Sequence, residues 1–208
     1  MIKNSFLFTA ISLLFSVSSI AQKDAPFTEA MKKEMCNKVK EAAQHAWKGY
    51  KDYAWGADDL KPLTKNAKTW YKTSMLMTPV DAFDTFTLLG LTTEAKEAKE
   101  LILTKLDFNI DNDVQVFEIT IRLLAGLLTA YEMDGDKKFL TLAKDLGDRL
   151  MPAFNSKTGM PYRYVHLQTG KTRDGINNPA EIGTLMMEFG KLSKINGDKK
   201  YYDEDKKG

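Results

Sequence analysis

The residues best equipped for chemistry lie in one stretch, Asp113 to Glu132, where Arg122 follows Glu118 by one helical turn. On a helix over this stretch, Phe117, Ile119, Ile121, Leu123, Leu124, Leu127, Leu128 and Tyr131 would cover most of the circumference, which predicts a buried rod. Arg122, Ala125 and Thr129 fall within about 40° of Glu118 and form one polar seam lined with small residues. A carboxylate on a buried rod is costly unless it is paired or functional. Two readings fit the seam: a structural Glu–Arg pair, or a carboxylic acid placed to exchange a proton.

A second helix carries the same anomaly. Leu185, Glu188, Leu192 and Ile195 share a side with Glu181, while Lys194 faces away. Either glutamate could cap or pair locally. Inward carboxylates from two helices also suit glycoside hydrolysis, in which one acid protonates the leaving oxygen and a second carboxylate acts on the opposite face. Asp81 and Asp84, three apart, share a face of a short helix and there cap, pair or bind hydroxyls. Trp47, Tyr50, Tyr53, Trp55, Trp70 and Tyr71 fit a core as well as they fit stacking on sugar rings. His45 and His166 lack metal-site spacing, so no protein metal ligands are assigned.

These residues must be positioned by helices, because nearly every segment has a helical period. The first runs from Thr28 to Ala54, with Met35, Val39, Ala42, Ala46, Tyr50 and Tyr53 as its expected buried line. Lys61-Pro62-Leu63 reads as a loop, and Val80 to Leu91 as a short apolar helix ending at Gly90. Thr93 to Leu106 turns Ala95, Ala98, Ile102 and Leu106 inward; Lys137 to Leu150 turns in Phe139, Ala143, Leu146 and Leu150. An insertion rich in Gly, Pro, Tyr and Thr spans Pro152 to Asn178, and Tyr162 to Leu167 reads as part of a short strand pair. Helical period returns over Pro179 to Ile195. Gly135-Asp136-Lys137-Lys138-Phe139 is echoed by Gly197-Asp198-Lys199-Lys200-Tyr201, each echo after an apolar helix and before an amphipathic one. The expected class is therefore all-α, a ring or stack of helical hairpins with a small β-hairpin-like insertion. A stack that stops partway through a hairpin leaves an apolar face bare, so the chain reads as unfinished, with association of the isolated chain expected.

Residues 1–21 read as an export signal: Lys3, an apolar run from Phe6 to Val17, and small residues at Ser19 and Ala21. The run is too short for a membrane span, and none is expected in residues 22–208, which form one domain. The destination is periplasm, cell surface or medium. Cys36 is the only cysteine, which rules out a disulfide within the chain; it lies beside an amphipathic stripe and is expected to be buried. The formal charge of +2 is nearly balanced, and no basic tract interleaves with aromatics, which argues against nucleic acid as a partner.

Four ordered blocks resemble the class I α-1,2-mannosidases, glycoside hydrolase family 47. They are His45-Ala46-Trp47-Lys48-Gly49-Tyr50 running to Leu60-Lys61-Pro62; Pro79-Val80-Asp81-Ala82-Phe83-Asp84-Thr85 running to Gly90-Leu91; Val116 to Leu128; and Ala180-Glu181-Ile182-Gly183-Thr184-Leu185 with Glu188-Phe189. The resemblance implies part of an (α/α)7 barrel and exo-hydrolysis of α-1,2-linked mannose from mannose-containing oligosaccharides, with inversion. It implies a Ca²⁺ cofactor that touches sugar hydroxyls. Glu118 matches the family's acid, Arg122 the arginine that holds substrate and carboxylates, and Glu181 a sugar-site carboxylate. Asp84, Asp81 and Glu188 match pocket-side or structural positions, with Asp84 taken as substrate-binding. The family's candidate base, later sugar-site glutamates and Ca²⁺-anchoring threonine belong to a second half that has no match here. A different class also fits: a non-catalytic helical-hairpin module that binds glycans or a partner protein.

Overall fold

A computed structural model describes residues 27–205; the export-signal segment lies outside them. Helix α1 (Glu29–Ala54) starts where the Thr28 hydroxyl accepts the Met31 amide at 3.2 Å. Trp47, Tyr50 and Ala54 enter the core, and the Trp47 indole donates to Glu97 at 2.8 Å. The rest of the expected line does not. Met35, Val39, Ala42, Ala46 and Tyr53 are exposed, as is Cys36, because no described element covers that face. The period identified the side that wants cover, and cover comes from elsewhere or not at all.

The loop expected at Lys61-Pro62-Leu63 falls on the turn of a hairpin, in which β1 (Asp59–Lys61) pairs antiparallel with β2 (Asn66–Lys68), Leu60 facing Ala67. Helix α2 (Met77–Leu89) follows, stopped by left-handed Gly90 (φ 69°), which no side-chain-bearing residue adopts as cheaply. Its start is unusual: Leu76 is itself left-handed (φ 56°) and buried. Helix α3 (Thr92–Lys105) returns with Ala98 and Ile102 inward, and Leu106 is buried just beyond its end.

The stretch from Asp113 is not one regular helix. Residues Asp113–Gln115 form strand β3, and helix begins at Val116 as α4 (Val116–Ile119). One turn of π-helix, Thr120–Leu124, then leads into α5 (Ala125–Asp134). In it the Ala125 amide reaches the Thr120 carbonyl, five residues back. The rod is as buried as its composition demands: Ile119, Leu123, Leu124 and Leu127 have no exposure.

Gly135 (φ 82°) ends α5, and Asp136 caps α6 (Lys137–Leu150) by accepting the Lys138 amide at 3.0 Å. Phe139, Ala143, Leu146 and Leu150 are all fully buried, as their spacing predicts. A short 3₁₀ turn (Met151–Phe154) opens the insertion, whose strands β4 (Tyr164–His166) and β5 (Thr172–Arg173) pair antiparallel. Strand β3 adds to β4, giving a sheet of order β3-β4-β5.

The helix predicted over Pro179 to Ile195 is broken. Helix α7 (Pro179–Gly183) stops, and α8 (Met186–Asn196) resumes after Thr184 and Leu185, so Glu181 and Glu188 lie on separate segments. Gly197 (φ 74°) ends α8, and Asp198 accepts the Lys200 amide at 3.0 Å at the start of α9 (Lys200–Asp205). The repeated Gly-Asp-Lys-Lys motif is thus one corner built twice, with Phe139 and Tyr201 each fully buried behind it.

The helices pair as α2/α3, α5/α6 and α8/α9, while α5 packs against both α2 and α8. This is an arc of helical hairpins, with α2, α5 and α8 adjacent in one layer and their partners behind them.

Candidate functional site

The site is held where the π turn meets α2 and the loop before it. Arg122 donates from Nε to Glu118 at 2.9 Å and from Nη1 to Asp81 of α2 at 3.3 Å. Its guanidinium lies 5.2 Å from the Trp70 ring centroid. One cation therefore gathers two carboxylates from different helices under an aromatic lid. Burial pushes the Asp81 carboxyl above its ordinary value, against the pull of Arg122, and the charge of Asp84 adds to the rise. Asp84 itself forms no hydrogen bond with Arg122 and accepts the Thr85 hydroxyl at 3.3 Å. Ala125 and Thr129 are half-buried, and the angles counted on a straight helix no longer hold for them past the π turn.

Glu181 sits apart from that pair but is joined to it through β3. Gln115 Nε2 donates to one oxygen of Glu181 at 3.2 Å, and Arg163 Nη2 donates to the other at 3.2 Å. Asn178 caps α7 by accepting the Glu181 amide at 3.0 Å, which fixes the backbone beneath the carboxylate. Glu188 takes a different position: its Oε2 is buried without a partner, and burial pushes its carboxyl upward. The Thr120 hydroxyl, at the start of the π turn, and Arg163 Nε are the other buried side-chain atoms without partners among the described residues.

Between these groups lies an open cleft of about 340 Å³, lined by Lys68, Trp70, Tyr71, Gln115 and Tyr164. It touches both halves of the site, since Trp70 lies over Arg122 and Gln115 holds Glu181. The Tyr71 hydroxyl accepts the Gln115 amide at 3.2 Å, and burial, with a smaller push from the nearby Glu118 charge, raises its phenol above the ordinary value.

Three contributors escaped sequence reasoning. Arg163 and Gln115 act only through contacts distant in the chain. Asp58 is fully buried and accepts the Met75 amide at 2.7 Å, the Trp70 amide at 2.9 Å, the Ser74 hydroxyl at 3.1 Å and the Met77 amide at 3.3 Å. These bonds hold the loop that carries Trp70 and offset the left-handed Leu76. Of the aromatics weighed, Trp47 and Tyr50 are core, Tyr53 and Trp55 exposed, and Trp70 and Tyr71 line the site. His166 bonds Asp111 at 2.8 Å, and no group of three or more His, Cys, Asp or Glu that could hold a metal occurs among the described residues. No described helix is long and apolar enough to cross a membrane.

Residues 42–208 match the family model described as glycosyl hydrolase family 47. A mannosyl-oligosaccharide 1,2-alpha-mannosidase of Arabidopsis thaliana is 43% identical over 185 residues, covering 86% of this chain and 33% of the relative. The endoplasmic reticulum mannosyl-oligosaccharide 1,2-alpha-mannosidase of Rattus norvegicus is 41% identical over 198 residues, 93% of this chain and 29% of the relative. The solved alpha-1,2-mannosidase from Trichoderma reesei superposes with a TM-score of 0.78 at 27% identity, over 85% of this chain and 40% of that one. The arc of hairpins is accordingly part of an (α/α)7 barrel, and the chain spans about a third of the length of the curated relatives it matches.

Proposed function

The chain belongs to glycosyl hydrolase family 47, and from that premise we propose that it carries the general acid of an exported α-1,2-mannosidase. The reaction is removal of terminal α-1,2-linked mannose from mannose-containing oligosaccharides with inversion. The observation that carries the reading is Glu118 on the π turn's leading edge, ion-paired to Arg122 beside an aromatic-lined cleft. Glu118 gives its proton to the glycosidic oxygen as the bond to the anomeric carbon breaks. Water attacks the opposite face and loses its proton to a second carboxylate, a role assigned to no residue of this chain. Arg122 stabilises the carboxylate that Glu118 becomes, and Glu181, locked by Gln115 and Arg163, accepts hydrogen bonds from sugar hydroxyls. Asp84 and Asp81 border the same region from α2.

Calcium enters through the family likeness alone. No residue of this chain is assigned to hold it, and no step above uses it. Export rests on residues 1–21.

A second reading has one observation in its favour. A carboxylate gripped by Arg122 at 2.9 Å is as suited to holding hydroxyls as to donating a proton, which a glycan-binding module without turnover would use. Glu118→Gln separates them. Under the acid role, turnover of an α-1,2-linked mannobiose falls by about 10²- to 10⁴-fold while binding persists, and NMR of the active protein shows β-mannose released first. Unchanged turnover removes Glu118 from the role, and the α-anomer appearing first overturns the inverting course.

A further inference from the structure

Arg122 is shared. Its Nε donates to Glu118 at 2.9 Å and its Nη1 to Asp81 at 3.3 Å, so two carboxylates divide one positive charge. Trp70 covers the guanidinium at 5.2 Å and is pinned in turn, its indole donating to Asp59 of β1. The charges around the three leave that deficit in place. Asp84 of α2 and Asp59 both bear on Asp81, with Asp59 partly answered by Lys68 at 3.5 Å. Toward β3, Asp113 is paired with Arg173, and beyond Gln115 the Glu181 carboxylate is paired with Arg163 at 3.2 Å. Tyr71 brings a neutral phenol, and Glu188 of α8, which packs on the π turn, has a buried oxygen without a partner. Negative charge is therefore in excess where the candidate acid stands.

We propose that Asp81 is a positioning residue for the acid: it draws part of Arg122 toward α2, and so lets Glu118 keep the proton it donates. The proposal rests on the mannosidase reading and deepens it. An arginine given wholly to one carboxylate makes a good ion pair and a poor acid, because it favours the charged form. A general acid needs the opposite before the glycosidic bond breaks, and the pair only afterwards. Sharing meets both needs. With Asp81 on Nη1, Arg122 reaches Glu118 through Nε alone, without the two-pronged grip a guanidinium can give a carboxylate. The Trp70 ring, lying over the guanidinium, helps to hold it between the two carboxylates. Once the proton has left Glu118, the same Nε is in place to stabilise the new carboxylate. Asp81, Arg122 and Glu118 keep 38%, 37% and 27% of their side-chain surfaces exposed. Water therefore screens the coupling, and an effect of about tenfold is expected rather than the larger ones of fully buried pairs.

Two readouts test it. In the 208-residue chain, the ¹³C shift of the Glu118 carboxyl is followed against pH. Asp81→Asn keeps the shape and removes the charge, and should move the Glu118 transition lower by about one pH unit, a tenfold weaker hold on the proton. Asp134→Asn removes a charge from the far end of α5, where Asp134 pairs with Lys99, and should leave the transition in place. ¹H–¹⁵N spectra verify that each variant is folded. In the active protein, the alkaline limb of kcat/KM on α-1,2-linked mannobiose should move down with the transition, a loss of about tenfold along that limb. A Glu118 transition that stays or rises in folded Asp81→Asn overturns the proposal, as does an equal fall in Asp134→Asn. A transition that falls while the alkaline limb stays removes Glu118 from the acid role, and the part of Asp81 in the reaction goes with it.

Discussion

α5 and α2 approach closely at Gly126, and Gly126→Ala tests whether that approach positions the site. A Cβ added there would stand 2.6 Å from Val80 Cγ1 and 3.3 Å from the Val80 carbonyl oxygen. Ordinary contact begins near 3.4 Å, so something must move by nearly an ångström. Val80 cannot easily rotate away: it is 2% exposed, and a β-branched residue on a helix has one strongly preferred rotamer. The displacement therefore falls on α2 itself, at a cost of about 2–3 kcal/mol, the upper end for overpacking given a 2.6 Å approach. Alanine is the better helix former by about 1 kcal/mol, which offsets part of it. The net expectation is a loss of about 1–2 kcal/mol, or roughly 2–8 °C in Tm for a domain of this size. Asp81 follows Val80 directly, so its 3.3 Å contact with Arg122 loosens at the same time. Circular dichroism at 222 nm during heating measures the first effect. Pairing Gly126→Ala with Val80→Ala, whose methyls are the obstacle, should give a double variant less destabilised than the two single losses added together. An unchanged or raised Tm in Gly126→Ala would refute the reasoning, because it would mean that propensity outweighs a contact the interface absorbs freely.

Two further outcomes follow from carboxylates that gather several donors. Asp58→Ala leaves at least three amide donors (Trp70, Met75 and Met77) without their acceptor; at about 1–3 kcal/mol for each buried unsatisfied group, it should destabilise strongly and collapse the near-ultraviolet signal of Trp70. Asp148 joins α6 to α9. Burial pushes its carboxyl up, but hydrogen bonds from Lys144, Lys200 and Tyr201 outweigh this and hold it at about 2. A folded pKa below the unfolded 3.8 stabilises above that pH and loses its contribution as pH falls toward 2, so acid titration of Asp148→Asn should show a shallower loss of stability across that window.

What was legible in the sequence was whatever depends on near neighbours. Glu118 and Arg122 meet because residues four apart meet on any helix, regular or not. The Gly-Asp-Lys-Lys corners were readable because a left-handed turn and an amide-accepting cap each need particular residue types. What failed depends on distant chain. Strand β3 is three residues long and exists because Asp113 finds His166; Arg163 and Gln115 matter only because both reach Glu181. The break between α7 and α8 has no proline to announce it. The line on α1 was a correct statement about which face is apolar and a wrong one about which face is covered, since periodicity carries no information about partners.

The π turn has one more consequence. A helix with an i−5 bond has swallowed a residue: five positions occupy the arc that a regular turn would span with about one fewer. Taking one residue out of Thr120–Leu124 would let the ordinary ladder close again with each downstream side chain still on its present side. Taking one out anywhere in α5 would swing all that follows by about 100° and carry the buried leucines into water. The rod between the candidate acid and the end of α5 thus keeps its slack in a single place. That place lies within a few residues of Glu118, so the helix adjusts its length beside its chemistry while the far end stays in register.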